Sequence, residues 1–171
     1  RAPVLRALAR RFGPGAEAIV AHFDPPDAWL DERALEARGL RRADVETTVR
    51  RALLGTGVVE AVYTARELLG DPPGDDPFFL LHRNALYPPR SPDLIGRLKE
   101  HVYVSDRSGG TGHGSAQDYD RHVPIVFMGP GVRPGRYDQS CGPEDFAYTL
   151  ARLIGVQFPQ QDAERMLSEM L

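Results

Sequence analysis

The chain has 171 residues, 42% of them apolar and 26% charged, which suits one core of ordinary domain size and excludes a disordered or fibrous protein. Its 21 basic and 24 acidic residues are interspersed and sum to a formal charge of −3, so there is no cationic stripe of the kind that grips nucleic acid. No apolar run approaches the roughly 18–20 residues needed to cross a bilayer, and no signal-peptide pattern opens the chain.

In chain order, PVLRALARRF sets Val4, Leu5, Leu8 and Phe12 on one helical face, with proline at the start and Gly13 past the end. AEAIVAHF, from Ala16 to Phe23, is rich in strand formers, and FDPPDAWL turns the chain into a second extended piece ending at Leu30. Asp31 sits as an N-cap before ERALEARG, a helix closed by Gly39. RADVETTVRRALLGTG predicts a longer helix with Val45, Val49, Leu53 and Leu54 inward, stopped at Gly55 and Gly57.

VVEAVYT is the next predicted strand, followed by a helical turn in ARELLG, a surface loop in DPPGDDP and a helix in FFLLHRNAL. DLIGRLKEHVYVSD, from Asp93 to Asp106, reads as two strands around a turn at Lys99 and Glu100. A glycine-rich loop then leads into VPIVFMG, Val123 to Gly129, a near-continuous apolar run that predicts a strand buried on both faces. PEDFAYTLARLIG predicts a helix facing inward through Phe146, Leu150, Leu153 and Ile154, with Glu144 and Asp145 favourable in its first turn. DAERMLSEML predicts a closing helix.

Phosphate-loop, dinucleotide-binding and nucleophile-elbow motifs are missing. The lone Cys141 reads as a buried or half-exposed thiol without a disulfide partner. Of five histidines, His22, His82 and His101 read as structural or solvated. His113 stands apart, because the glycines around it let backbone approach closely and suit an imidazole presented into a cleft; a simple turn is the competing reading. Asp118 and His122 have a spacing that would share a helical face, but Pro124 biases Val123 toward extended backbone and argues against a helix running past His122. If that segment is extended, Asp120 and His122 point to one side.

TGHGS at Thr111 to Ser115, YDRHVPIVFMGPGVRPG from Tyr119 and EDFAYTLARLIGV from Glu144 together resemble the alkaline phosphatase superfamily. The likeness is to its single-nucleophile alkaline phosphatases and type I phosphodiesterase/nucleotide pyrophosphatases. Their order matches that family's final loop, last core strand and closing helix, and weaker likeness extends upstream over nearly the whole chain. The resemblance implies an α/β chain in which residues 91–171 are the C-terminal part of an alkaline-phosphatase-like sheet with flanking helices. Residues 1–90 would then be an α+β portion, an insertion or cap in a longer parent. It also implies that His113 is a ligand of one of two zinc ions; Asp120, His122, Thr111 and Ser115 are candidates to orient it, with anchoring of the loop to the following strand as the competing role for Asp120 and His122.

The same resemblance implies a phosphate ester substrate, a phosphomonoesterase or phosphodiesterase activity for the parent, and a periplasmic or extracellular location. The family's nucleophile and other metal ligands, among them an adjacent Asp-His pair, have no counterpart here. The chain alone is therefore expected to be inactive and to contribute one part of a site completed by a missing N-terminal region. A non-catalytic remnant or binding module without metal is the alternative. Tyr148, Pro92 and Gly112 depart from residues common at the matching family positions.

Overall fold

The computed structural model describes residues 1–105, 109–157 and 165–171. They form two compact units, Arg1–Arg121 and His122–Leu171. The architecture mixes helices with one four-stranded antiparallel sheet, in keeping with the predicted α/β class. No described helix is long and apolar enough to cross a membrane.

In the first unit, α1 (Ala2–Phe12) buries Val4 and Leu8 as its spacing predicts. Residues predicted as one strand divide into a 3-10 turn at Ala16–Ile19 and strand β1 (Val20–Asp24). A cis peptide between Pro25 and Pro26 lies in the turn to β2 (Asp27–Leu30). Asp31 caps α2 (Glu32–Ala37), its side chain accepting from the Ala34 N–H at 3.1 Å. α3 (Arg42–Leu54) buries Val45, Val49 and Leu53, whereas Leu54 faces solvent.

Next come β3 (Val59–Thr64), α4 (Ala65–Leu68), α5 (Phe79–Asn84) and β4 (Leu94–Leu98). Thr64 and Glu67 form a reciprocal capping box at α4, each side chain accepting from the other's backbone N–H. The sheet order is β1-β2-β4-β3. Its core side packs Leu94, Ala28, Val20, Val59 and Val62 against α1 and α3. Asp93 locks the sheet to its surroundings: one carboxylate oxygen accepts from the Leu30 N–H, the other from Arg42, both at 2.7 Å.

Only the first half of the Asp93–Asp106 segment is a strand. Residues 99–105 are turn and irregular backbone with Tyr103 and Val104 exposed, and Asp106 lies outside the described residues. β4 is already paired on both sides, by β2 and β3, which leaves no free edge there for a second strand.

Asp27 holds an unusual carboxyl. Burial pushes its pKa up to about 6; the Gly96 N–H that it accepts opposes the shift, and the charge of Asp24 adds to it. Gly96 cannot give way, because a Cβ there would lie 2.6 Å from Pro26 Cβ. With its folded pKa above the ordinary value, Asp27 favours folding at low pH, and that contribution is lost as pH rises through about 6. Asp27→Asn keeps an acceptor for Gly96 without the charge. Its expected effect is a higher melting temperature at pH 7.5, with the gain shrinking steadily toward pH 4; a gain that ignores pH would contradict this.

The second unit departs furthest from expectation. Residues 123–129 make no strand pairing, and Val123, Val126 and Met128 are exposed at 57%, 77% and 97%. α7 (Pro143–Leu153) forms as predicted, but Phe146, Leu150 and Ile154 face outward, and the residues it buries are Asp145, Thr149 and Ala151. The buried polar pair holds the C-terminal tail: Asp145 accepts from the Arg165 N–H at 2.8 Å and Thr149 from the Leu167 N–H at 3.0 Å. Of the predicted closing helix, residues 162–164 lie outside the described residues and only a 3-10 turn, Ser168–Met170, is present. Both apolar runs have the composition of core elements, but no described strand of this unit pairs with residues 123–129. Cys141 is exposed.

Candidate functional site

The glycine-rich loop presents its central residues to solvent. Thr111, Gly112, His113 and Gly114 are exposed, and Ser115 is half-buried. Gly109, Gly110 and Gly114 take φ values of +88°, +113° and +92°, which residues with a side chain rarely adopt. The backbone on either side of His113 therefore takes conformations that favour glycine, and His113 between them is exposed.

One end of the loop is tied down by a short helical turn, α6 (Asp118–Arg121). The Asp120 carboxylate accepts from the Ser115 N–H at 2.9 Å. The Ser115 side chain and backbone are the main causes that hold the Asp120 pKa below its usual range, and the nearby His113 adds to this. Tyr119 anchors the same turn from behind: its hydroxyl accepts from the His101 N–H at 3.1 Å, and the two rings stack at 5.2 Å and 18°.

Asp118 is exposed and pairs with Arg121 at 3.1 Å. The helical turn ends before His122, as Pro124 requires, and Asp120 lies in that turn rather than in extended backbone. The first unit thus brings Ser115, Asp120 and His113 together in one neighbourhood. Thr111 stands exposed on the same loop, and His122 begins the second unit.

Tyr103 was not singled out in the sequence. Its ring lies across the backbone of Gly112, so close that a Cβ on that residue would fall 2.2 Å from ring carbon Cε2. The signal in the sequence was the departure at Gly112 itself.

Among the described residues no group of three or more His, Cys, Asp or Glu side chains could surround a metal ion. A catalytic zinc takes about three protein donors, more than the described residues bring together anywhere.

No family model matches the chain. It is 31% identical over 169 residues to alkaline phosphatase PhoK from Sphingomonas sp, and 26% identical over 164 residues to alkaline phosphatase PafA from Elizabethkingia meningoseptica. The crystal structure of wild-type PafA superposes with a TM-score of 0.81 at 25% identity, covering 96% of this chain and 31% of that one. The chain thus spans about 30% of the length of these relatives. Sequence and fold together match this chain to one part of the alkaline phosphatases PhoK and PafA. More particularly, the chain belongs to the alkaline phosphatase superfamily.

Proposed function

We propose that this chain is the C-terminal portion of a zinc-dependent phosphate ester hydrolase, a phosphomonoesterase or a phosphodiesterase/nucleotide pyrophosphatase, and that His113 is its one contribution to the metal ligands. The observation that carries this reading is the exposed imidazole on a glycine-bent, Asp120-braced loop, in a chain that follows the PafA backbone over 96% of its length. When bound, a pair of zinc ions supplies Lewis acidity and charge neutralisation for in-line phosphoryl displacement. This chain's residues position rather than react: Asp120 holds the loop through Ser115, and Thr111 and His122 are further orienting candidates. Residues 1–90 act as an insertion or cap, and residues 91–171 join a core completed by sequence upstream. A periplasmic or extracellular setting fits this reading.

A second reading is a non-catalytic module of the same superfamily that holds no metal. Hydrolysis separates the two. With the upstream sequence of the parent reading frame restored, p-nitrophenyl phosphate or bis-p-nitrophenyl phosphate should be turned over in a zinc-dependent way, and the ratio of the two rates gives the ester class. The 171-residue chain alone should turn over neither. A longer protein that is folded and inert on both esters supports the module instead.

A further inference from the structure

Gly112 is a glycine without a conformational reason. Unlike Gly109, Gly110 and Gly114, it is not among the positive-φ residues, so its φ does not itself call for glycine. What forbids one is Tyr103: a Cβ at residue 112 would lie 2.2–2.6 Å from three of its ring carbons, closer than real Cβ atoms approach. Tyr103 is 63% exposed, so its ring is not held there by a core. It rests one face on the peptide immediately before His113.

The contacts around that histidine close into a circuit. Tyr103 meets the loop at Gly112, and Asp120 meets it at Ser115. The two holders are themselves joined, because His101, two residues before Tyr103, bonds to and stacks on Tyr119, the neighbour of Asp120. His113 and Gly114 are the only residues of the circuit between the two clamps.

We infer that Tyr103 is a positioning residue that, interlocked with Gly112, sets the direction of the His113 imidazole. Its consequence for metal binding rests on the reading of His113 as a zinc ligand. The geometric part stands independently and can be tested on the chain as it is.

The test is a double-substitution cycle read by NMR of the His113 ring and by hydrogen exchange of the Ser115 amide. Gly112→Ala should move the ring resonances and speed Ser115 exchange about tenfold or more, because the added methyl displaces Tyr103. In a Tyr103→Ala background the same substitution should have no further effect, since the ring it collides with is gone. Tyr103→Phe should match the parent chain. Unchanged resonances of the buried Leu94 and Val62 methyls confirm that each variant is folded. If Gly112→Ala leaves the His113 ring unmoved, or has the same effect with and without Tyr103, the interlock is wrong.

In the longer protein, Tyr103→Ala should weaken zinc binding about tenfold and Tyr103→Phe should restore it, within the 10–100-fold range seen when a ligand loses its orienting neighbours. Unchanged affinity would overturn the positioning role. Zinc content that ignores His113→Ala would instead sink the ligand reading, and would leave the NMR cycle to stand or fall separately.

Discussion

Phe79→Ala is expected to lower the stability of the first unit by about 3–5 kcal/mol, the range for deleting a fully buried phenylalanine. Phe79 is 0% exposed and heads the fully buried side chains by volume. It meets the Tyr63 ring edge-on at 6.2 Å and 82°, and it shares a cluster with Leu68 and the partly buried Ala61, Leu86 and Ile95. α5 has no side-chain N-cap of its own. Phe79 is therefore the main apolar tether of that helix, and the polar contacts at its start depend on the same packing. Tyr63 donates to Asp76 at 2.6 Å, and Asp76 accepts from the Phe78 N–H at 2.9 Å. Urea unfolding followed by the single tryptophan, Trp29, measures the loss. Leu80→Ala, on the solvent side of the same helix at 52% exposure, should change stability by about 0.5 kcal/mol or less. A Phe79→Ala loss below about 1 kcal/mol would show that the site collapses around the gap.

The second large effect concerns self-association. An exposed apolar run outside any sheet invites pairing with another chain, and residues 123–129, which pair with no described strand, present one alongside the outward side chains Phe146, Leu150 and Ile154. Phe127 stacks on Phe146 at 4.9 Å and 28°, which gathers the run and the helix into one patch. The isolated chain should associate with rising concentration in sedimentation velocity, and the amides of residues 125–128 should exchange quickly at low concentration. Val126→Lys with Met128→Glu should shift the chain to monomer without lowering its melting temperature, because neither side chain is buried. A wild-type chain that stays monomeric at about 100 µM, with slow exchange through residues 125–128, would contradict this.

These two sites mark how far sequence reasoning reached. Where local rules close on themselves the structure follows them: Asp31 caps its helix, and Val45, Val49 and Leu53 point inward from α3. The split of Ala16–Phe23 into a 3-10 turn and a strand was hidden, because an apolar run too short for a period suits either form. Residues 123–129 predict a buried strand and Phe146, Leu150 and Ile154 an inward helix face, and the structure leaves Val123, Val126, Met128 and those three helix residues exposed instead. Periodicity reports a demand for cover but not what meets it, and no described strand of that unit pairs with the run.

The site was visible in a similar, partial way. Glycines around His113 announced an unusual loop, and three of them do take positive φ. Asp120 stood among the candidate partners, and it binds the loop through Ser115. Tyr103 escaped notice because its contact with Gly112 arises from the tertiary path of an irregular segment, where no sequence period pairs residues.

Zinc content tests the ligand assignment most directly. With upstream sequence restored, the purified protein should hold about two equivalents of zinc, and His113→Ala should hold about one. Phosphate ester hydrolysis should fall by at least about 100-fold, more than is usual when only an orienting partner is lost. A folded His113→Ala protein that keeps both equivalents and full turnover would contradict the assignment.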